Sequence, residues 1–285
     1  MINPDDSNVP YILQCGVPQG SPLSPLLYVI YTSDLLRAPS APDCELDAYA
    51  DDLTVVGSGA TFLEAEMSAQ AEVNRIASWA CLWRQRFNPS KSEVLAFSRQ
   101  PVNVQLEIGG VVFPQVPVMR ILGIHFDEKL TWKAHIDRTL NRCGRNLSWF
   151  RAVVHRPGLS FRWRRTAYLA LVRSIATFGF VSFASAAKTQ LRRLDVLQNN
   201  CLRAMLNVRL DDRVPIRVLE QRCRLPSLPS FLGVVQRRYA ENAVRFVLPL
   251  REDIESVRLS ASPPQKSPVF RLNSHLSPGP LPAMA

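Results

Sequence analysis

The pattern of apolar and polar positions changes character once along the chain. Between residues 45 and 126, stretches with the two-residue period of strands flank one long stretch of helical period, and beyond residue 127 only helical period remains. The long helix is predicted over residues 61–87, where Thr61 and Glu64 form a capping box. The pattern therefore predicts an α/β part followed by an all-α part.

The predicted strands are short. The first pair forms a hairpin over residues 45–57, with the adjacent Asp51 and Asp52 at its turn. Further strands are predicted over residues 93–97, 104–108, 111–113 and 119–126. A loop rich in Gly and Pro precedes an apolar helix over residues 26–36, which is expected to be buried and to begin with Ser as N-cap and Pro at the first helical position.

The second part of the chain is predicted to consist of helices alone. They are expected over residues 132–154, 164–177, 188–207 and 232–247. Pro and Ser dominate the end of the chain, which predicts disorder there. The predicted organisation is an α/β region over residues 1–126, a helical region over 127–250 and a disordered tail over 251–285.

Net charge divides along the same boundary. The chain carries a formal charge of +10, but residues 1–130 hold 8 Lys and Arg against 15 Asp and Glu, while the rest holds 26 against 9. The basic excess is nearly all arginine, whose planar donor fork suits phosphate; codon bias in a GC-rich genome is the other explanation for that preference. The asymmetry indicates a chemical or metal centre beside a polyanion-binding surface.

Other classes of protein fit the sequence poorly. No apolar run reaches the roughly 18–20 residues that a membrane helix needs, and the first residues lack the pattern of a signal peptide. The six cysteines form no C-x-x-C pair, and the four histidines lack metal-ligand spacing, with a packing or capping role expected for His135. An intracellular protein with reduced thiols is therefore predicted.

Asp51 and Asp52 are the sharpest chemical feature. Turns often contain Asp for its backbone geometry alone. Two carboxylates fixed on a well-packed turn can instead bind Mg²⁺, which takes one or two carboxylates together with substrate phosphates. Two such ions can activate an attacking hydroxyl and stabilise the leaving oxygen of a phosphoryl transfer.

Several motifs, in order, resemble those of the reverse transcriptase family, in particular the non-LTR, jockey-like retrotransposon polymerases of insects. They are Gly16-Val17-Pro18-Gln19-Gly20-Ser21-Pro22-Leu23-Ser24-Pro25, Tyr49-Ala50-Asp51-Asp52, Asn88-Pro89-Ser90-Lys91-Ser92-Glu93, Leu122-Gly123-Ile124-His125-Phe126-Asp127, Tyr168-Leu169-Ala170-Leu171-Val172-Arg173-Ser174-Ile175 and Leu194-Asp195-Val196-Leu197-Gln198-Asn199-Asn200-Cys201-Leu202-Arg203. The resemblance covers roughly residues 14–235. It implies an α/β partial palm followed by an all-α thumb and connection region.

The resemblance also implies roles for the palm residues. Asp51 would be a direct Mg²⁺ ligand and Asp52 a second, less demanding one, with Tyr49 near the primer end. Gln19 and Gly20 would lie under the template and the nascent base pair, unless they only form the entry to a helix. Lys91 would lie near the incoming triphosphate, although a lysine after a turn is commonly just solvated.

Further roles concern the nucleic acid. Leu122 and Gly123 would form the grip on the primer strand, or simply a buried strand end. A basic side of the helical region would follow the phosphate backbone without reading sequence. The arginines assigned to that side are Arg138, Arg142, Arg145, Arg164 and Arg165.

The implied function is RNA-directed DNA synthesis, with nucleotidyl transfer from a dNTP to a primer 3′-hydroxyl, on an RNA template with a DNA primer. A catalytically inactive remnant that keeps only nucleic-acid binding is the alternative. The family carries a further Asp on a strand upstream of the Gln-Gly loop, and no strand pattern precedes Gly16 here. We therefore expect the chain to be the C-terminal half of such a polymerase and to need the N-terminal palm and fingers for activity. A nuclear or ribonucleoprotein location is implied by the resemblance alone.

Overall fold

The chain forms two compact units, each with its own core. The structure is a computed structural model, and it describes residues 16–18, 20–98, 100–246, 269–273 and 277–278. The first unit, called the sheet unit, comprises residues 1–119 and 266–285, and the second, called the helical unit, comprises residues 120–265. The division falls within the last predicted strand, seven residues before the boundary that the sequence pattern predicts.

The described strands are β1 (Cys44–Tyr49), β2 (Asp52–Gly57), β3 (Gln85–Arg86), β4 (Glu93–Leu95), β5 (Glu107–Ile108), β6 (Val111–Val112), β7 (Val118–Ile121), β8 (Ile124–Asp127), β9 (Val269–Asn273) and β10 (Ser277–Pro278). The α-helices are α1 (Ser24–Arg37), α2 (Phe62–Leu82), α3 (Lys133–Val154), α4 (Phe161–Tyr168), α5 (Ser174–Ala176), α6 (Phe180–Phe183), α7 (Lys188–Leu206), α8 (Ile216–Cys223) and α9 (Leu228–Phe246).

The sheet unit is built on four strands in the order β1-β2-β9-β4, in which each neighbouring pair is antiparallel. Helix α2 covers the sheet, and Val55, Ile76, Val94 and Phe113 are buried in the core between them. Strand β9 lies in the segment where composition predicts disorder, so that prediction does not hold for β9 or β10. The other residues beyond 246 lie outside the described part of the chain.

Helix α2 begins as the sequence predicts and ends earlier. The Thr61 hydroxyl accepts from the Glu64 N–H at 3.2 Å, and the Glu64 carboxylate accepts from the Thr61 N–H at 3.1 Å, which confirms the capping box. The helix stops at Leu82 rather than Phe87, because Arg84 adopts a left-handed backbone with φ 53° and the chain continues into β3.

Helix α1 departs from the sequence expectation in two ways. Its N-cap is Leu23, with no side-chain capping bond, so the prediction of a Ser N-cap is wrong, although Pro25 does lie in the first turn. The helix is also not a buried one, since Leu26, Val29 and Ile30 are exposed. One face nevertheless contacts α2, where Asp34 accepts from the indole nitrogens of two tryptophans.

The helical unit has a separate core, in which Ile136, Phe150, Tyr168 and Leu194 are buried. Helices α3, α7 and α9 match predicted helices closely. The predicted helix over residues 164–177 is interrupted by a π-helical segment, Leu169–Arg173. Helices α6 and α8 were not predicted, since each is too short to show a helical period.

None of the described helices is long and apolar enough to cross a membrane.

Candidate functional site

The acidic hairpin is held by a tight turn in the sheet unit. Tyr49 pairs with Asp52 as the last pair of β1 and β2, which leaves Ala50 and Asp51 as the turn. Ala50 has φ 52°, a conformation that favours glycine and is strained for a residue with a side chain. The two carboxylates are half-buried and adjacent, whereas the ring of Tyr49 is largely exposed.

Helix α1 brings a phenol close to this turn. Burial, with the charge of Asp51 as the second cause, raises the pKa of Tyr28 to about 12. The Tyr28 hydroxyl is buried and has no hydrogen-bond partner among the described residues. It therefore stays protonated beside Asp51, a feature that the apolar pattern of α1 did not reveal.

Lys91 lies at the same end of the sheet as Asp52. Strands β2 and β4 both run antiparallel to β9, so they run parallel to each other and start at the same edge. Asp52 pairs with Asn273, and Glu93 pairs with Arg271, two places away on β9, so Lys91, two residues before Glu93, comes just before the start of β4 at this end of the sheet. Lys91 itself is exposed at the end of a single 3₁₀ turn.

The hairpin has two carboxylates that could hold a metal ion. Carboxylate oxygens are hard donors of the kind that Mg²⁺ prefers, and one or two carboxylates with substrate phosphates are a common set for that ion. Asp51 and Asp52 fit that chemistry. Among the described residues no group of three or more His, Cys, Asp or Glu side chains comes together, so any further protein ligand would come from elsewhere.

The loop before α1 is compact at its described positions. Gly20 has φ 90°, and the Ser24 hydroxyl donates to the Pro18 carbonyl at 2.5 Å. A left-handed backbone favours glycine at position 20. Gln19, the other residue expected to contact the template, lies outside the described residues.

The predicted primer grip is the turn of the β7–β8 hairpin in the helical unit. Leu122 and Gly123 have φ 47° and 89°, as a two-residue turn with both central residues left-handed requires. The sequence predicts one continuous strand over residues 119–126, which is wrong, because these two residues reverse the chain. Leu122 is exposed rather than a buried strand end.

A cavity of about 550 Å³ lies between this turn and α3. Arg138, Arg142 and Arg145 recur at steps of four and three along α3 and line it, as does Gly123. The structure thus brings together four residues that the sequence assigns separately to the primer grip and to the phosphate backbone. No acidic side chain lines the cavity among the described residues.

The cavity also contains residues that the sequence did not suggest. Arg120 comes from β7, Asn141 from α3, and His125 and His135 from β8 and α3. His135 and Arg138 stand three residues apart on one helix, and this spacing was the signal available in the sequence. His135 was expected to pack or cap, and it does pack, with its ring centroid 4.6 Å from that of Phe183.

Arg164 and Arg165 lie elsewhere in the helical unit and do not line this cavity. Arg164 donates to the Met205 carbonyl at 3.2 Å and Arg165 to the Arg224 carbonyl at 3.4 Å. These carbonyls belong to the ends of α7 and α8, where basic side chains commonly satisfy unpaired backbone acceptors. The structure therefore separates them from the three arginines of α3.

Comparison with known proteins points to one family. The family model of the reverse transcriptase (RNA-dependent DNA polymerase) matches residues 3–126. The probable RNA-directed DNA polymerase from transposon BS of Drosophila melanogaster is 32% identical over 208 residues, which cover 70% of this chain and 23% of that protein. The RNA-directed DNA polymerase from mobile element jockey of the same organism is 26% identical over 238 residues, 80% of this chain and 26% of the relative. No solved structure gives a significant match.

The short antiparallel sheets and the helices are consistent with a mixed α/β, polymerase-like fold. Residues 3–126 belong to the reverse transcriptase family, and the relatives make it a jockey-like member. The chain spans about a quarter of the length of the curated relatives named above.

Proposed function

We propose that the chain is part of an RNA-directed DNA polymerase of a retrotransposon, with the sheet unit as a partial palm and the helical unit as the thumb and connection. The observation that carries the proposal is the Asp51-Asp52 hairpin, which lies inside the region that matches the reverse transcriptase family. The family match favours this function over an inactive remnant that only binds nucleic acid.

The residues of the sheet unit can be given specific tasks. Asp51 and Asp52 would hold Mg²⁺, which supplies charge stabilisation for a phosphoryl transfer when bound. Lys91, at the same end of the sheet as Asp52, would neutralise charge on the triphosphate. Tyr28 would limit the access of water to Asp51 and keep its hydroxyl protonated. Tyr49, exposed beside the turn, would contact the primer end.

The helical unit would bind the template–primer duplex. The arginines of α3 would contact successive phosphates, and the turn at Leu122 and Gly123 would bring backbone close to the primer strand. Gln19 and Gly20 would lie against the template. The partners in this proposal are an RNA template, a DNA primer and dNTPs, together with the N-terminal palm and fingers that the sequence analysis expects.

The first experiment measures metal binding by the chain as it is. Titration with Mn²⁺, followed by electron paramagnetic resonance, should show a site that Asp51→Asn weakens at least tenfold, because Asn retains the shape without the charge. Asp47→Asn is the matched control, since Asp47 is an exposed carboxylate on β1. Equal Mn²⁺ binding by the wild-type chain and both variants would contradict the assignment.

The second experiment measures activity in a longer protein. Residues 16–126 would replace the matching segment of the jockey polymerase, and extension of a primed poly(rA) template would be assayed. Asp51→Asn should abolish extension, Asp52→Asn should reduce it less, and Asp47→Asn should leave it unchanged. Extension that survives Asp51→Asn would show that this hairpin is not the metal site.

A further inference from the structure

Strand β9 occupies a central position of the sheet unit although it comes from near the end of the chain. It pairs antiparallel with β2 on one side and with β4 on the other. Its ladder with β2 includes the pair of Asp52 and Asn273, so β9 ends beside the acidic turn. The strand next to the candidate metal site is therefore supplied by a segment distant in sequence from the rest of the sheet.

The space between β2 and β4 determines which kind of chain can occupy it. The two strands run parallel to each other, with one strand between them, so an occupant must be a single extended segment antiparallel to both. Without an occupant, backbone donors and acceptors on the facing edges of β2 and β4 would lose their partners. Strand addition of this kind depends on main-chain hydrogen bonds, so segments of different sequence can take the same position.

The ladders of β9 are short. Its pairing with β2 stops at Val55, whereas β1 pairs with β2 as far as Gly57. Its pairing with β4 covers only Glu93–Leu95. Pro268 directly precedes β9, and proline cannot donate to a ladder, so the strand cannot be extended in that direction without losing a bond. We therefore expect β9 to be the strand of this sheet that another segment replaces most easily.

The chemistry of the acidic hairpin indicates what a replacing strand would carry. Two catalytic metal ions lie about 3.5–4 Å apart, so their carboxylate ligands must be close together. Among the described residues no third ligand of the His, Cys, Asp or Glu type joins Asp51 and Asp52. A strand in the position of β9 is one spacing from β2, about 5 Å, whereas a strand added outside β1 would be about 10 Å from Asp52. The position of β9 is thus the better place in this sheet for a further carboxylate.

A source for such a strand exists in the longer relatives. The matched segment of the transposon BS and jockey polymerases is about a quarter of each protein. The resemblance to the reverse transcriptase family also implies an Asp on a strand upstream of the Gln-Gly loop. A longer polymerase could therefore supply an Asp-bearing strand to this sheet.

We infer that β9 is a displaceable strand that covers the docking site of an Asp-bearing strand from the remainder of the polymerase. The incoming strand would pair antiparallel with β2 and β4 and bring its carboxylate beside Asp52, while residues 269–273 leave the sheet. The inference rests on the proposed function for the identity of the incoming strand. Because β9 belongs to the same chain as its receptor, its effective concentration is high, and a competing strand needs additional contacts or a covalent link to replace it.

The first test follows the release of β9 directly. The full chain is mixed with the part of the jockey polymerase that precedes the segment matching this chain, made as a separate polypeptide. Hydrogen–deuterium exchange, read by mass spectrometry without added metal, reports the backbone pairing of each segment. Addition of the polypeptide should speed exchange in residues 269–273 by about tenfold or more and leave β2 protected, since β2 gains one partner strand as it loses another. Protection of residues 269–273 that persists in the complex would overturn the inference.

The second test locks β9 in place reversibly. Thr54 pairs with Arg271 of β9 on one side and with Asp47 of β1 on the other. Residues paired across antiparallel strands are close enough for a disulfide. Thr54→Cys with Arg271→Cys, when oxidised, should bind the polypeptide at least about tenfold more weakly than after reduction. Thr54→Cys with Asp47→Cys is the matched control, because it joins β1 to β2 and should bind equally in both states.

The third test weakens β9 instead. Arg271→Pro removes a backbone donor from a central strand, where proline is not tolerated. This variant should therefore bind the polypeptide more tightly than the wild-type chain, by about tenfold. Arg258→Pro, in the same tail but outside β9, is the control and should bind as the wild-type chain does. The disulfide variants keep the inference testable if Arg271→Pro fails to fold by circular dichroism.

The results for β9 and for the metal site can be told apart. Equal affinity of the oxidised and reduced Thr54–Arg271 pair, or no binding of the polypeptide to the reduced chain, would overturn the inference. Release of residues 269–273 combined with Mn²⁺ binding that Asp51→Asn does not change would support strand exchange and contradict only the proposed polymerase function. Weaker Mn²⁺ binding in Asp51→Asn without release of these residues would sink the inference and leave the proposed function standing.

Discussion

The backbone N–H of His125 donates to Nδ1 of His135 across 3.3 Å, and the centroids of the two rings are 5.9 Å apart. This contact joins β8 to the first turn of α3, so it fixes the hairpin turn against the helix that carries the arginines. Because Nδ1 of neutral His135 accepts this bond, its ring proton is on Nε2. The shape and the donor pattern of the cavity thus depend on one histidine pair.

Acid should destabilise the chain through these histidines. Their pKa values in the folded chain lie below the ordinary 6.5, at about 4 for His125. Between those values the unfolded chain binds protons that the folded chain does not, so stability that is complete above pH 6.5 falls as the pH drops toward 4. Urea unfolding of the full chain, followed by circular dichroism, should show a lower midpoint at pH 5.0 than at 7.5.

Two matched variants test whether the histidine pair causes this pH dependence of stability. His125→Gln removes one titrating group and should flatten the change between the two pH values. His155→Gln alters an exposed histidine at the C-terminus of α3 and should retain the wild-type change. The same pH dependence in both variants would argue against the histidine pair as its source.

Gly123→Ala should weaken both the hairpin and binding. The φ of 89° and the 3.1 Å approach to Phe178 make a Cβ unfavourable, at a cost of about 1–2 kcal/mol. Gly144→Ala is the control, because position 144 lies within α3 with nothing within 4 Å of an added Cβ, and it should stabilise by up to about 1 kcal/mol. The midpoint temperature of thermal unfolding should therefore fall in Gly123→Ala and rise in Gly144→Ala. A gain in stability from Gly123→Ala would contradict the turn geometry.

Tyr168→Phe and Tyr28→Phe should change the stability of the chain by different amounts or in opposite directions. The Tyr168 hydroxyl donates to Gln198 Oε1 at 2.7 Å inside the core, so Tyr168→Phe should cost about 1–2 kcal/mol by leaving that oxygen unpaired. The Tyr28 hydroxyl is buried without a partner among the described residues, so Tyr28→Phe should leave stability unchanged or raise it slightly. Chemical denaturation measures both. An equal loss of stability in the two variants would indicate that the Tyr28 hydroxyl makes a hydrogen bond that stabilises the fold.

The apolar face of α1 should limit the solubility of the chain. Leu26, Val29 and Ile30 are exposed, and exposed apolar patches of this kind favour association. Val29→Gln with Ile30→Gln should raise the saturation concentration and change stability by less than about 1 kcal/mol. Leu35→Ala, at a fully buried position on the same helix, should instead cost about 2–5 kcal/mol. An unchanged saturation concentration would mean that this face does not cause association.

Prediction from sequence succeeded where neighbours in the chain decide the structure. The capping box of Thr61 and Glu64 and the position of Asp51 at a hairpin turn depend on residues within a few places of each other. It failed where distant contacts decide. The first residue of the turn, Leu122, is not a glycine, so the sequence does not indicate a reversal of the chain there. Helix α1 is exposed despite its apolar composition.

The sequence by itself determined the acidic hairpin, the basic face of α3 and the order of motifs that marks the family, because local period and motif order are properties of the chain. Only the tertiary structure showed that Gly123 and Arg138 line one cavity, together with His135. It also showed that Arg164 and Arg165 donate to carbonyls at the ends of other helices. The physical reason is that a helical face fixes which way a side chain points, whereas what it meets depends on the packing of elements far apart in sequence.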